Sequence, residues 1–576
     1  MKPEVAEMDY SKIAPGTFTA IEHLAPSGSN LPGAAKMLGM VASSAGSPKT
    51  LLFLRTHEHA EFSQMPAHGI TINQNSGRIR TAICPIEKIG VLASHPGVKF
   101  IYPSVQLKPK MDRALKLINF PSFQVKTNLT GKGVIIGIVD SGIDGRHPMF
   151  DGRIEAVWDQ TIPGITVAEG DYGHELTGHA ISKARDENGH GTHVAGIAAG
   201  AHLQYQGVAP EAKLVIVKTD FQNAHIADGI RYIFRVAKSL GMPAVVNLSL
   251  GGHFDAHDGT DALSELINDV SGPGRLVCCA AGNEGDDDIH ALTELRGHSP
   301  DAIQFRLQSN GNTPAEAVLN CWYGGSEPLE LAIESPIGQV TPWFSADTSA
   351  TGVETLYLAA NRIIIDGRRD IANGDYQVLI SILPSSIQLG TVWRLHLRNR
   401  SSANVKVHMW AMADEGNVTF RPPHAYDGFK IGSPGSASSA ITVASITSRD
   451  SWTDITNTRR SSAMPLGAIS PYSSPGPLRN GKLKPDLAAP GAFLISAMSA
   501  QSGANVDDSY KIDTYLRANA GTSMACPVIT GLCGLLLQRD RMLDPYSARR
   551  LLTSAVSPMP GFDRRYGFGI IDAAAL

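Results

Sequence analysis

The chain has 576 residues, a length that calls for several domains. Apolar residues make up 43% and charged residues 18%, a globular composition that excludes disordered and fibrous classes. The formal net charge of −4 offers no broad attraction for nucleic acid or an anionic membrane, and no apolar run is long enough to span a bilayer.

The first stretch, 1–48, is rich in Pro, Gly, Ser and Ala and reads as loosely ordered. Its opening, MKPEVAEMDY, carries early acidic residues and lacks the apolar core of a secretory signal. The six cysteines (Cys84, Cys278, Cys279, Cys321, Cys526 and Cys533) have no metal-ligand spacing and sit mostly in apolar runs, as buried free thiols do. Both features point to a cytoplasmic, reducing setting. From Leu51 the pattern changes. LLFLRT predicts a strand, GITINQNSGRIRTAIC a hairpin turning at Asn75–Gly77, PIEKIGVLASHPG a short helix, and VKFIYPSVQL a further strand. Residues 49–107 therefore form a small α+β unit, followed by a linker over 108–130.

GVIIGIVD, ending at Asp140, is a continuous apolar run of the kind buried on both faces in a parallel sheet. KLVIVKTD, AVVNLSLGG and RLVCCAAGN repeat the type, and helical segments such as HGTHVAGIAAG and DALSELINDV lie between them. Strands alternating with helices predict an α/β fold with a mostly parallel sheet, whose ligands sit at the carboxyl ends of the strands. The rhythm stops near Asp286. Short alternating segments replace it, among them AIQFRLQ, AVLNCWY, YQVLISIL and TVWRLHLRN, and these predict a β-sandwich or jelly roll. The α/β pattern resumes at SASSAITVASI. One α/β domain over 131–285 and 432–576 thus carries an inserted β domain over 286–431.

Three polar residues stand where elements can hold them rigidly. Asp140 ends a buried strand, His190 begins a helix between two glycines, and Ser523 sits at a loop-to-helix junction. Amide hydrolysis requires a serine hydroxyl to be activated by a base, and a buried carboxylate can fix the tautomer of that base. Asn283, at a strand end, and the backbone N–H of Ser523 can donate to a developing oxyanion. VDSGID, NGHGTHVAG, NLSLGG, AAGNEG and GTSMACP resemble, in order, the signature blocks of subtilisin-like serine proteases, the subtilases. The resemblance implies Asp140 as orienting acid, His190 as base, Ser523 as nucleophile and Asn283 in the oxyanion hole. It also implies that Ser249, Leu250 and Gly251 pair as a strand with an extended polypeptide substrate. By the same resemblance 49–107 is an inhibitory propeptide acting in cis, cut near Leu107–Asp112, and the β insertion is similar to the jelly roll of clostridial germination (Csp-type) subtilases. No cofactor is implied.

Other features have plainer readings. His193 shares a helix face with His190 and reads as a packed histidine, not a metal ligand. His174 and His179 read as solvated loop residues. Asp286, Asp287 and Asp288 have the oxygen ligands calcium favours but read as a solvated turn. Cys526 reads as helix packing. A dinucleotide-binding domain is disfavoured, because no GxGxxG or GxxxxGK[ST] follows a strand. The main competitor is a catalytically silent binding or regulatory protein on the same scaffold, which the intact Asp140, His190 and Ser523 disfavour.

Overall fold

The computed structural model describes residues 10–14, 40–41, 49–104, 108–109, 116–307, 317–358, 361–383, 391–412, 418–557 and 561–576. The chain divides into two compact units, Leu107–Asp286 with Gly428–Leu576, and Met1–Gln106 with Asp287–Asp427. Most of the stretch read as loosely ordered, 1–48, lies outside the described residues.

The first of these units holds, in chain order, β1 (Lys108–Pro109), α1 (Phe120–Thr127), β2 (Ile135–Asp140), β3 (Ile154–Asp159), β4 (His174–Thr177), α2 (His190–Ala199), β5 (Lys213–Lys218), α3 (Asn223–Ser239), β6 (Ala244–Leu248), β7 (Leu250–Gly251), α4 (Ala262–Val270), β8 (Arg275–Ala280), β9 (Ile441–Thr447), β10 (Leu487–Ala492) and α5 (Thr522–Arg539). Eight strands form one sheet in the order β10-β9-β8-β6-β2-β5-β3-β4. All neighbours are parallel except the edge strand β4. Of the apolar runs read as doubly buried, β2 and β6 are buried at every residue, and β5 and β8 depart only at Lys213, Lys218 and Arg275.

Alternation along β2 separates two faces. Ile136 and Ile138 join the core that contains α2 and α5. Gly137 faces the other way, and a Cβ there would fall 2.5 Å from Cγ2 of Ile233 on α3. The helix therefore lies closer to the sheet than any side chain would permit. The insertion leaves the sheet intact, because β8, before it, pairs directly with β9, after it, with Cys278 opposite Ile441. All six cysteines are buried, and none forms a disulfide.

Two local readings change. The linker contains a helix, α1, which starts with a proline in its first turn and buries Phe120 and Phe123. His174 does not lie in a loop but opens the edge strand β4, exposed at its outer position.

In the other unit, Lys49–Thr56 lies between Ile79–Pro85 and Val98–Pro103 in an antiparallel sheet. The hairpin is present, with Thr71 opposite Ile83, and Gly77 takes the positive φ its turn requires. The predicted helix is a 3₁₀ turn over Ile86–Lys88 leading into Ile89–Ala93. Residues 290–420 form two antiparallel sheets, one of six strands and one of five. They share a core that includes Phe305, Leu319, Ile380, Trp393 and Met409, so the insertion is a β-sandwich.

Two outcomes follow from this packing. Gly137→Ala is expected to destabilise by about 1–3 kcal/mol through overpacking, and a double-mutant cycle with Ile233→Ala in urea unfolding should show the two changes coupled rather than additive. On α2, His193 is fully buried, its Nε2 lies 3.1 Å from the Arg517 carbonyl, and burial, with Arg517 close by, pushes its pKa well below the ordinary value. Below about pH 6.5 the unfolded chain takes up a proton that the folded chain refuses. Stability is therefore full above that pH and falls on acidification. His193→Gln should flatten the fall between pH 7 and pH 5 by roughly 1 kcal/mol or more, measured by urea midpoints across that range.

Candidate active site

The sequence-nominated residues stand at or just after the carboxyl ends of β2, β6 and β8 and in the first turns of α2 and α5. Asp140, the last residue of β2, has no solvent exposure. Its Oδ1 accepts the Ser141 N–H at 2.7 Å and lies 2.6 Å from Nδ1 of His190. An ionised carboxylate only accepts, so Nδ1 carries the hydrogen and Nε2 is left as the basic nitrogen.

His190 is the first residue of α2, entered through Gly189 at φ 81°. Asp186, which the sequence reading did not single out, organises this entry. Its Oδ1 accepts from Gly189 N at 2.8 Å and from Ser141 Oγ at 2.8 Å, and its Oδ2 accepts from Thr192 N and Thr192 Oγ1 at 2.8 and 2.7 Å. A buried carboxylate thus satisfies orphan N–H groups at the positive end of the helix. Its signal was present in the Asp-x-x-Gly-His spacing of DENGH, an acid placed to cap the turn before the histidine. Gly191 permits the contact between α2 and β2. A Cβ there would sit 2.2 Å from the Gly142 carbonyl and 3.1 Å from Cβ of Asp140.

Ser523 occupies the first turn of α5 and is fully buried. Its Oγ donates to the Ser249 carbonyl at 3.0 Å. Pro527, inside α5, has no N–H to give to the carbonyl four residues earlier, which is that of Ser523. The Ser249 hydroxyl takes that place, donating to the Ser523 carbonyl at 2.6 Å. Ser249 is held in turn by Asn247 Nδ2 at 2.9 Å, and Asn247 Oδ1 accepts from Thr530 Oγ1 at 2.9 Å. The sequence reading took Cys526 as helix packing and Ser249 as part of a substrate-pairing strand. The side-chain chain from Thr530 to Ser523 is visible only once β6 and α5 are adjacent.

Asn283 follows β8. Its Oδ1 accepts from both N and Oγ1 of Thr522 at 2.9 Å, which fixes the amide group and leaves its NH₂ as the donor end. Met524 N bonds back to the Gly521 carbonyl, leaving the amide of Ser523 between two engaged neighbours. Leu250 and Gly251 form β7, which is paired antiparallel with β1: Leu250 lies opposite Pro109 and Gly251 opposite Lys108. Cys526 is buried in α5, and burial beside Cys278 drives its thiol pKa well above the ordinary value, so it is no thiolate. Among the described residues no three His, Cys, Asp or Glu side chains converge as a metal site, and no helix is long and apolar enough to cross a membrane.

Comparison with known proteins identifies a family and a shared fold. The "Subtilase family" (Peptidase_S8) model matches residues 131–317 and 366–569. The major intracellular serine protease of Bacillus subtilis (strain 168) is 35% identical over 187 residues, 31% of this chain and 51% of that protein. The intracellular serine protease of Paenibacillus polymyxa is 33% identical over 186 residues, 31% of this chain and 50% of that protein. The chain thus spans about half the length of these relatives. The CspB protease of Clostridium perfringens superposes with a TM-score of 0.64 at 22% identity, covering 79% of this chain and 95% of that one, which extends the shared fold over most of the molecule. With a matched model spanning more than half of its residues, the chain belongs to the subtilase family.

Proposed function

We propose that this chain is a serine endopeptidase that cuts extended polypeptides through an acyl-enzyme, and that it is made in a form held latent by its own N-terminal region. The observation that carries the reading is the pairing of β1 with β7 beside Ser523. A segment of the chain lies there as an added antiparallel strand, the mode in which an extended substrate binds a strand edge.

The chemistry follows from the groups in place. Nε2 of His190 removes the Ser523 hydroxyl proton as Oγ attacks the scissile carbonyl. Asp140 holds the imidazole and balances the charge it gains. The oxyanion receives hydrogen bonds from the Asn283 NH₂ and the Ser523 N–H. Collapse expels the amine, which takes its proton from His190. Water, deprotonated by the same histidine, then releases the acid and restores Ser523. No step requires a metal or an organic cofactor.

The register supports one bond as the proposed cut. Proline cannot donate to a ladder, and in an antiparallel pair alternate residues leave their N–H groups unused towards the partner. Pro109 opposite Leu250 fits such a position, with Lys108 bonded opposite Gly251. An extended polypeptide continuing this pairing by one position would meet Ser249, whose carbonyl is 3.0 Å from Ser523 Oγ. The cut then falls between Lys110 and Met111, inside the window expected from sequence. Of that window only residues 108 and 109 are among the described residues.

Purified wild-type chain is expected to lose its N-terminal region and to show Met111 as its new N-terminus by Edman or mass analysis, whereas Ser523→Ala stays full length. A full-length wild type that nevertheless digests casein would remove the latency claim. A fluorophosphonate probe should label the processed wild type and not Ser523→Ala; absence of labelling after processing in trans would favour a catalytically silent scaffold. Asn283→Ala should lower kcat by about 10²–10³ with little change in KM, a magnitude carried over from the matching amide of subtilisin, itself the source of the figure.

A further inference from the structure

The groups proposed for catalysis gather at the carboxyl end of the parallel sheet, and a second concavity lies at the opposite end, beside the first residues of β6 and β8. It is a cleft of about 650 Å³, framed by the second half of α3, the end of α4, the start of β8 and the loop after α5. Its volume is that of a site for a small organic ligand. Its floor is apolar, with Phe234, Met242, Pro243 and Val270, and its rim carries Met542, a methionine 69% exposed.

The charge around this apolar floor has a single sign. Arg231, Arg235, Lys238, Arg275 and Arg541 line the cleft, and no acidic side chain does. Arg231 and Arg235 are neutralised from outside it, by Asp228 and Glu169. The other three make no ion pair among the described residues. Arg275 Nε donates to the carbonyl of Val270, the last residue of α4, at 2.7 Å, and Arg541 donates to the carbonyl of Gly241 just beyond α3. Each guanidinium is thereby anchored at a helix carboxyl end, and both residues are exposed to solvent. Lys238 is exposed on the same rim.

We propose that this cleft is a binding site for a small amphipathic organic anion, a carboxylate or sulfonate on an aromatic or alkyl body. The apolar body lies on Phe234, Met242 and Val270, and the acid group meets Arg275, Arg541 and Lys238. A neutral apolar molecule would leave three cations uncompensated, and a simple inorganic anion would leave the floor wet. The site is independent of the catalytic reading and stands or falls without it.

The test uses the full-length Ser523→Ala chain, which cannot digest itself, and 1-anilinonaphthalene-8-sulfonate as the probe. Fluorescence titration should show one saturable site, weakened as salt rises. Uncharged 1-anilinonaphthalene should compete at least about tenfold less well than dodecanoate. Lys238→Glu and Arg541→Gln should each weaken the probe roughly fivefold or more, and Met542→Ser should weaken it as well. Lys238 is exposed and outside the core, so its variant keeps the wild-type melting temperature and reports binding alone. Equal competition by the neutral analogue, or a probe affinity unchanged in all three variants, overturns the proposal.

Discussion

A carboxylate with no access to water lies 2.6 Å from an imidazole, and the geometry around it follows from that contact. A buried charge is tolerable only when it is paired and hydrogen-bonded. Asp140 meets the condition by ending a strand beside the Ser141 N–H and by facing a helix whose first residue is His190. The helix can come close enough only because residue 191 has no side chain. It is held there by a second buried carboxylate, Asp186, which ties the helix entry to Ser141. Two acids thus share the work: one orients the imidazole, and the other orients the helix that carries it.

The nucleophile's side of the site solves a different problem. Ser523 must stand at the start of α5 with its hydroxyl accessible to chemistry and its backbone satisfied. Pro527 removes the helical partner of the Ser523 carbonyl, and the Ser249 hydroxyl replaces it. That exchange links the residue proposed as nucleophile to the strand proposed to bind substrate. A polypeptide pairing with β7 would therefore press on a segment hydrogen-bonded to Ser523 in both directions, hydroxyl to carbonyl each way. Rigidity of this kind is what positioning requires, since a misplacement of an ångström can cost orders of magnitude in rate.

The inserted sandwich bears on folding as much as on architecture. Asp140, His190 and Asn283 precede it, and Ser523 follows it by about a hundred residues. The sheet closes across the gap through β8 and β9, so the site forms only when two distant parts of the chain have paired. Non-local pairing of this sort is slow, because loop-closure entropy is spent before contacts compensate it. The far ends of β6 and β8 carry the cationic cleft, so one pair of strands has polar chemistry at both ends and apolar packing between.

The sequence by itself determined the fold class and nominated the residues of the proposed site. Continuous apolar runs can only be strands buried on both faces, and their polar ends must lie where the helices begin. Asp140, His190, Asn283 and Ser523 were legible because each occupies such an end, among glycines that no core position explains. The two-residue alternation of the insertion was legible for the same reason, since periodicity is local. What only the tertiary structure decided was everything that rests on contacts between distant segments. Asp186 reads as an ordinary loop acid until α2 packs on β2. Asn247, Ser249 and Thr530 read as separate polar residues until β6 and α5 meet. His174 looked like a loop residue because an edge strand of four residues leaves almost no pattern. The register of Lys108 and Pro109 on β7 is likewise invisible in the sequence, for backbone hydrogen bonding carries no side-chain signature.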